Sequence, residues 1–508
     1  MDKRRSILNV SVSIISRVFL LFIALYVRRL LIRCIGTDIN GLNSLYSSII
    51  GMLSVAELGI GSAIVYSMYK PIIEGNKKQV SALYCFYRKI YRIIGAVILC
   101  AGLLLMPLLP SLIGDYKTLN VDVYVTFFLT LVSVVLSYLY SAKTALIESY
   151  KDNYITTGIF TVARLIRFGF QIGAILIWKS YTAFLICQIM ETLIILVITE
   201  VVVRQMHGDI ISMRETLDQE IKSEIGRNVK AMFMHKIGTI MVNSIDSVII
   251  SVFVGVVALG KYTNYNLIAG VLAATIALFF SPLTSVVGHL CAEKDPAQSE
   301  RYFYHFYFLN YILGVFFFLG YYAVVDDVVA FSFGTDQNVS MIIVFIITLN
   351  RFTQYMRKAS LLFRDASGTF YNDRWKPVVE GVINLFLSLL FVQVFPKDYQ
   401  VVSVIVATII TTLMICDIVE PYVVFRNVFE KSPKNFYFRS YSYIALFTVC
   451  LVIMTLIKQS CGSCLTGFVI NGFLSVILSI FALALLATID KFFRYEMRTF
   501  ICMKLKLK

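Results

Sequence analysis

The sequence predicts an all-α polytopic membrane protein of about fourteen transmembrane helices. Three observations predict it. Hydrophobic residues make up 58% of the 508 and charged residues only 15%, against about 45–50% and about 25% in soluble domains. The apolar residues are gathered into stretches of about 20, the length that crosses the hydrocarbon core. Proline is scarce, with 9 residues, and strand-like alternation is absent. Helices, not a barrel, therefore satisfy the backbone in lipid. A mean hydropathy of +0.78 agrees.

Taken in order, the spans are expected near 8–34, 41–68, 87–113, 121–147, 154–178, 181–203, 229–254, 262–288, 303–333, 339–362, 375–395, 401–424, 438–457 and 465–489. The first stretch runs past about 20 residues and ends on arginines, so it reads as a span, not a cleaved signal peptide. The net charge of +15 would suggest nucleic acid on a soluble protein. Here the basic residues sit between the spans, as orientation signals and lipid contacts do, and nucleic acid is excluded as a partner. With the N-terminus inside, one set of segments holds Lys3, Arg4 and Arg5, the run from Lys70 to Arg92, the loop at 204–230, Arg364, Arg374 and Lys376, the stretch 426–439 and the basic tail. The other set holds only Lys117, Lys179, Lys261, Lys397 and Lys458. Both termini are expected in the cytoplasm of a bacterial inner membrane. Arg28, Arg29 and Arg33, at the outer end of the first span, are the exception.

An internal repeat supplies the domain plan. A shift of 219 residues brings Gly36, Gly41, Tyr46 and Gly51 onto Gly255, Gly260, Tyr265 and Gly270, and Arg17 onto Lys236. Both copies begin at the same face, so the repeat is parallel. The expected division is an N-lobe at 1–205, a cytoplasmic loop at 206–228, a C-lobe at 229–430, and a terminal helix pair with basic tail at 431–508.

Charge within a span costs about 2.5–3.5 kcal/mol at the helix centre on insertion scales and so marks a cavity or a partner. Arg17 and Lys236 occupy equivalent depths in the two copies, and Arg28 returns to the face of Arg17. Arg164, Arg167 and Gln171 share a face of the fifth span, as do Arg351, Gln354 and Lys358 on the tenth. Glu380 and Asn384 pair at i, i+4 on the eleventh. The expectation is a cationic cavity for an anionic substrate, with Arg17, Arg28, Arg164, Arg167, Lys236 and Arg351 as its binding residues. Arginine suits phosphate because its planar fork matches two oxygens. Asp246, Glu57 and Asn243 are candidates for counter-ions or for holding a coupling proton or sodium ion.

No catalytic residue is expected. The chain lacks a P-loop and an outer loop large enough for a catalytic domain. Four histidines lack metal-ligand spacing, and Cys461 and Cys464 have no second pair. No metal or cofactor is expected. The reading is a transporter and not an enzyme.

Three segments resemble a known family. IGTDINGLNSLYSSIIGMLSVAELGIGSAIVYSMYKP at 35–71 is similar to the start of bacterial polysaccharide repeat-unit (Wzx-type) flippases, with their glycine-rich turn, ELGIG segment and Y.P pattern. Asn243 to Tyr265 resembles their seventh span, and GTFYNDRWKPVVEGVIN at 368–384 their connection from the tenth span to the eleventh. The resemblance implies the MATE-like fold of the multidrug/oligosaccharidyl-lipid/polysaccharide (MOP) exporter superfamily, two six-helix lobes plus two C-terminal helices. It implies alternating access that moves an undecaprenyl-diphosphate-linked glycan to the outer leaflet for capsule, O-antigen or exopolysaccharide assembly. Membrane lipids and glycan polymerases are the implied partners. The alternatives are a cation-coupled multidrug exporter, disfavoured by the excess of intramembrane basic residues, a peptidoglycan-precursor flippase, and a glycan polymerase or ligase.

Overall fold

The computed structural model describes residues 3–54, 60–114, 116–213, 215–217, 219, 244–280, 287, 291, 295–369, 372–461 and 465–495, with backbone alone at 3–18, 60–64, 66, 277–280, 460–461 and 465–466. Every described element is helical. Nine helical stretches among the described residues are long and apolar enough to cross a membrane, and the chain is a multi-pass membrane protein. Two compact units form, Met1–Gly260 and Lys261–Lys508.

The first unit holds α1 (Lys3–Cys34), α2 (Thr37–Leu53), α3 (Ile60–Ile73), α4 (Lys77–Leu105), the short α5 (Leu109–Leu112), α6 (Val123–Ser149), α7 (Asn153–Gly173), α8 (Tyr181–Ser212), α9 (Ser244–Phe253) and the start of α10 (Val256–Phe280). Polar caps set the starts. Asn76 Oδ1 accepts the Gln79 amide at 3.1 Å, Asp122 Oδ1 accepts the Tyr124 amide at 2.9 Å, and Ser180 Oγ accepts the Ala183 amide at 3.3 Å. Such caps satisfy amides the helix leaves open. α6 packs on α4 and α8, and α7 packs on α8 and α1. Tyr46, Tyr84, Tyr87 and Phe127 fill the core between them. The Tyr46 hydroxyl donates to the Val123 carbonyl at 2.9 Å.

The repeat is visible in backbone detail. α1 closes with the Gly36 amide on the Leu31 carbonyl at 3.1 Å, and α9 with the Gly255 amide on the Ile250 carbonyl at 3.0 Å. Gly36 has φ 145° and Gly255 φ 108°, left-handed values that favour glycine. The next helices, α2 and α10, then cross with their backbones in contact. A Cβ on Gly41 would lie 1.7 Å from the Val256 carbonyl oxygen, and one on Gly260 would lie 2.5 Å from that of Thr37. Thr37 and Val256 are themselves repeat equivalents, so the crossing is self-complementary. Asn40 Nδ2 donates to the Gly260 carbonyl at 3.1 Å across it.

The second unit holds the rest of α10, then α11 (Pro296–Phe333), α12 (Met341–Met356), α13 (Lys358–Ala366), α14 (Lys376–Val394), α15 (Gln400–Thr411), α16 (Asp417–Asn427), α17 (Lys434–Cys461) and α18 (Leu465–Ile489). A π-helical turn at Thr412–Cys416 joins α15 to α16. α11 is the central post, against α12, α17 and α18. Phe303 on it meets Phe363, Phe425, Phe429 and Phe436 edge-on at 5.3–5.4 Å, the arrangement aromatic quadrupoles prefer. The terminal pair is tied by Asp490, which accepts from Arg439 Nε at 2.7 Å and the Tyr443 hydroxyl at 2.8 Å.

The described residues of the fourteen expected spans are helical except for a few at the ends of five of them and for Arg357, a turn residue that divides the tenth. The outcome differs in regularity: the twelfth span contains a π turn, and α8 continues through a kink at His207 to Ser212, past the expected end near 203.

Candidate functional site

In the first unit a cavity of about 340 Å³ opens between α6, α7 and α8. The i, i+3 spacing of Arg164 and Arg167 aims both at Glu191 on α8. Arg164 Nε lies 3.3 Å from Oε1, and Arg167 Nη1 lies 2.7 Å from Oε2. Glu191 is buried, whereas the Arg164 side chain is half-exposed. One carboxylate against two guanidiniums leaves the cluster with excess positive charge. Arg167 Nε is a buried donor without an acceptor among the described residues. Ser133, Ser137, Thr192 and Gln188 line the same cavity, with Tyr140 and Phe160 on its wall. The two arginines stand near the midpoint of the span Asn153–Trp178, where water is scarce and an unpaired guanidinium is costly.

The second unit carries cations held by neutral groups. Arg351 donates from Nη2 and Nε to Asn266 Oδ1, at 2.8 and 3.2 Å, and from Nη1 to Gln354 Oε1 at 3.3 Å. Lys358 donates to the Ala273 carbonyl at 3.3 Å and sits 5.0 Å above the Tyr355 ring. Amide and carbonyl oxygens orient a cation without neutralising it.

A separate buried cluster is closed by charge pairing. Arg357 donates to Glu420 from Nη2 at 2.5 Å and from Nε at 3.1 Å. Lys376 bridges Glu420 at 2.6 Å and Glu380 at 2.8 Å. Arg364 pairs with Asp373 at 2.9 Å beside it.

Of the residues expected from sequence, Arg164 and Arg167 share one cavity, and Arg351 stands in the other unit. Arg28 is partly buried on α1, and Asp246 is buried on α9. Arg17 lies on α1, but its side chain is outside the described residues, as are Glu57, Lys236 and Asn243 altogether. Sequence reasoning missed Glu191, Arg357, Glu420 and Asp417. Each was visible as a charge inside an apolar run, as in QIMETLIIL and CDIVEP.

Fold and site together define a polytopic all-α membrane protein with excess positive charge held within its spans. Its fold is that of transporters of the MOP superfamily. The chain is similar to the lipid II flippase MurJ in an inward closed conformation, with a TM-score of 0.61 at 12% identity over 94% of this chain and 99% of that one. It is similar to an inward-facing multidrug resistance MATE family transporter, with a TM-score of 0.57 at 12% identity over 77% and 93%. A MOP superfamily transporter from Pyrococcus furiosus, described as having a binding pocket of reverse polarity, gives 0.52 at 11% identity over 84% and 95%. No family model matches the sequence, and no curated protein matches it.

Proposed function

We propose that the protein is a flippase for lipid-linked oligosaccharides, moving undecaprenyl-diphosphate-linked repeat units from the inner to the outer leaflet of a bacterial plasma membrane. The observation that carries this reading is the cavity of Arg164, Arg167 and Glu191. Two arginines against one carboxylate leave a positive charge for an anion, and guanidiniums bind phosphate oxygens in pairs. The hydroxyl and amide groups of Ser133, Ser137, Thr192 and Gln188 suit sugar hydroxyls, and Tyr140 and Phe160 offer apolar ring faces. A drug exporter for cations needs the opposite charge balance.

In this reading the lobes at 1–205 and 229–430 rock in alternating access, joined by the cytoplasmic loop at 206–228. The segment at 431–508 is appended, and both termini are cytoplasmic. Arg17, Arg28, Lys236 and Arg351 are further substrate-binding residues of this reading, with Asp246, Glu57 and Asn243 as counter-ions or holders of a coupling ion. The likeness in fold to a lipid II flippase supports a lipid-linked substrate over a free one. The protein makes and breaks no covalent bond.

The test is flipping of a fluorescent undecaprenyl-diphosphate-linked oligosaccharide in reconstituted vesicles. Wild type moves it with the glycan unchanged. Arg167→Ala and Lys236→Ala each slow it at least about tenfold, the scale of one lost charge-assisted contact. Wild-type rates in both variants, at equal reconstitution, would remove the cavity assignment.

A further inference from the structure

The buried cluster of the second unit contains a fifth charged residue that charge pairing leaves over. Arg357 and Lys376 balance Glu420 and Glu380, and all four are engaged with one another. Asp417 lies beside them at 8% exposure. Its Oδ2 has no hydrogen-bond partner among the described residues, and neither does the Tyr307 hydroxyl. These two atoms belong to residues that line the same small cavity of about 10 Å³, together with Ser360, Ser440 and Arg357. That is room for about one water. Phe436 and Met356 close its walls.

An ionised Asp417 would give the cluster a net negative charge inside a membrane span, a cost of several kcal/mol by general estimates. A protonated Asp417 leaves the cluster neutral and gives its Oδ2 a proton to donate. A metal cation is disfavoured as the neutralising group, because Arg357 lines the cavity and Lys376 stands behind it. The neutral groups facing Asp417 are Tyr307 from α11, Ser360 from α13, and Ser440 and Tyr441 from α17.

The backbone at this point is irregular. The π turn Thr412–Cys416 ends immediately before Asp417. Pro421 has no N–H to offer the Asp417 carbonyl four residues back. Two α17 tyrosines satisfy carbonyls along this stretch, Tyr441 on Leu413 at 2.8 Å and Tyr437 on Ile418 at 2.6 Å. A helix broken in this way and held by a neighbour's side chains can open locally without losing its whole ladder.

We propose that Asp417 is a proton-binding site: its carboxylate takes a proton from water into this cavity and returns it when α16 and α17 part. The proton goes on and off Oδ2, and the Arg357–Glu420–Lys376–Glu380 quartet stays paired throughout. Its use in driving flipping rests on the reading of the chain as a transporter. Its chemistry does not.

The test reads the proton directly, by infrared difference spectroscopy of the purified full chain in lipid nanodiscs between acidic and alkaline buffer. Wild type shows the carbonyl band of a buried protonated carboxyl. Asp417→Asn, isosteric with the protonated acid, lacks it, and Asp246→Asn keeps it. Tyr307→Phe retains the band at a shifted frequency, because the hydroxyl shares the cavity. No such band in wild type, or an unaltered band in Asp417→Asn, overturns the proposal. An unshifted band in Tyr307→Phe overturns the placement of the proton in this cavity. Vesicle flipping is measured separately: failure of wild type there, with the band present, counts against the flippase and not against the proton site.

Discussion

At the scale of single residues, the molecule separates charges that are closed from charges that are left over. Glu191 is the hinge of this distinction in the first unit. It is buried and holds two guanidiniums. Glu191→Ala leaves both arginines without a carboxylate inside the span, and breaking such a buried pair costs about 3–5 kcal/mol. Arg164→Ala removes a half-exposed partner and leaves Glu191 paired with Arg167, so it costs much less. Thermal unfolding of the purified variants in detergent therefore orders them: a large fall in Tm for Glu191→Ala and little change for Arg164→Ala. Equal Tm values would show that Glu191 does not anchor the pair. The arginines were legible in the sequence because i, i+3 spacing fixes a shared helical face. Glu191 stood out as a charge in an apolar run, but its pairing with them was not legible, because it comes from the next helix and only packing decides which turn of α8 meets them.

At the scale of elements, the repeat carries the most information. Glycines at equivalent places were readable as a pattern, and the structure supplies their physical reason. Gly36 and Gly255 end α1 and α9 with positive φ, and Gly41 and Gly260 let α2 and α10 touch backbone to backbone. A methyl at Gly41 would meet a carbonyl oxygen that cannot rotate away, so α10 has to shift. Gly41→Ala is expected to destabilise by about 1–3 kcal/mol, the usual cost of overpacking, and Gly260→Ala by a similar amount. Gly158, with nothing within 4 Å of an added Cβ, is the control, and Gly158→Ala leaves the melting temperature unchanged or raises it. A stable Gly41→Ala protein would mean the crossing can spread freely. The π turn at Thr412–Cys416 and the kink at His207 were not legible. The π turn contains no glycine or proline, and its Leu413 carbonyl is taken by Tyr441 of another helix. At the kink Gly208 follows His207, but a glycine within a helical run does not by itself state that the helix bends there. The starts at Asn76, Asp122, Ser180 and Asp295 are local capping events, of the kind that a sequence states directly.

At the scale of the whole molecule, hydropathy alone set the fold class, because a bilayer leaves few structures that satisfy every backbone group. Orientation is a separate property, carried by basic residues outside the spans. The segments placed in the cytoplasm include Lys70, Lys77, Lys78, Arg88, Lys89 and Arg92 around the start of α4, and Arg426, Lys431, Lys434 and Arg439 around the start of α17. Those placed outside are short and hold mostly single lysines. Retaining basic segments on the cytoplasmic side is favoured during insertion, and the bias counts most within about 15–20 residues of span ends. Arg28, Arg29 and Arg33 oppose it at the outer end of α1, yet they are outnumbered by the basic residues that follow α3. The prediction is that alkaline phosphatase, active only outside the cytoplasm, is active when fused within the segment containing Asn338 and inactive when fused after Lys508. A green fluorescent protein fusion after Lys508 gives the complementary fluorescence. Phosphatase activity at Lys508 with none at Asn338 would invert the topology, and the leaflet from which substrate is taken would invert with it. An even number of spans makes the same measurement a count: a fusion before Lys3 and one after Lys508 must report the same side, and opposite sides would mean that one of the fourteen expected spans does not cross.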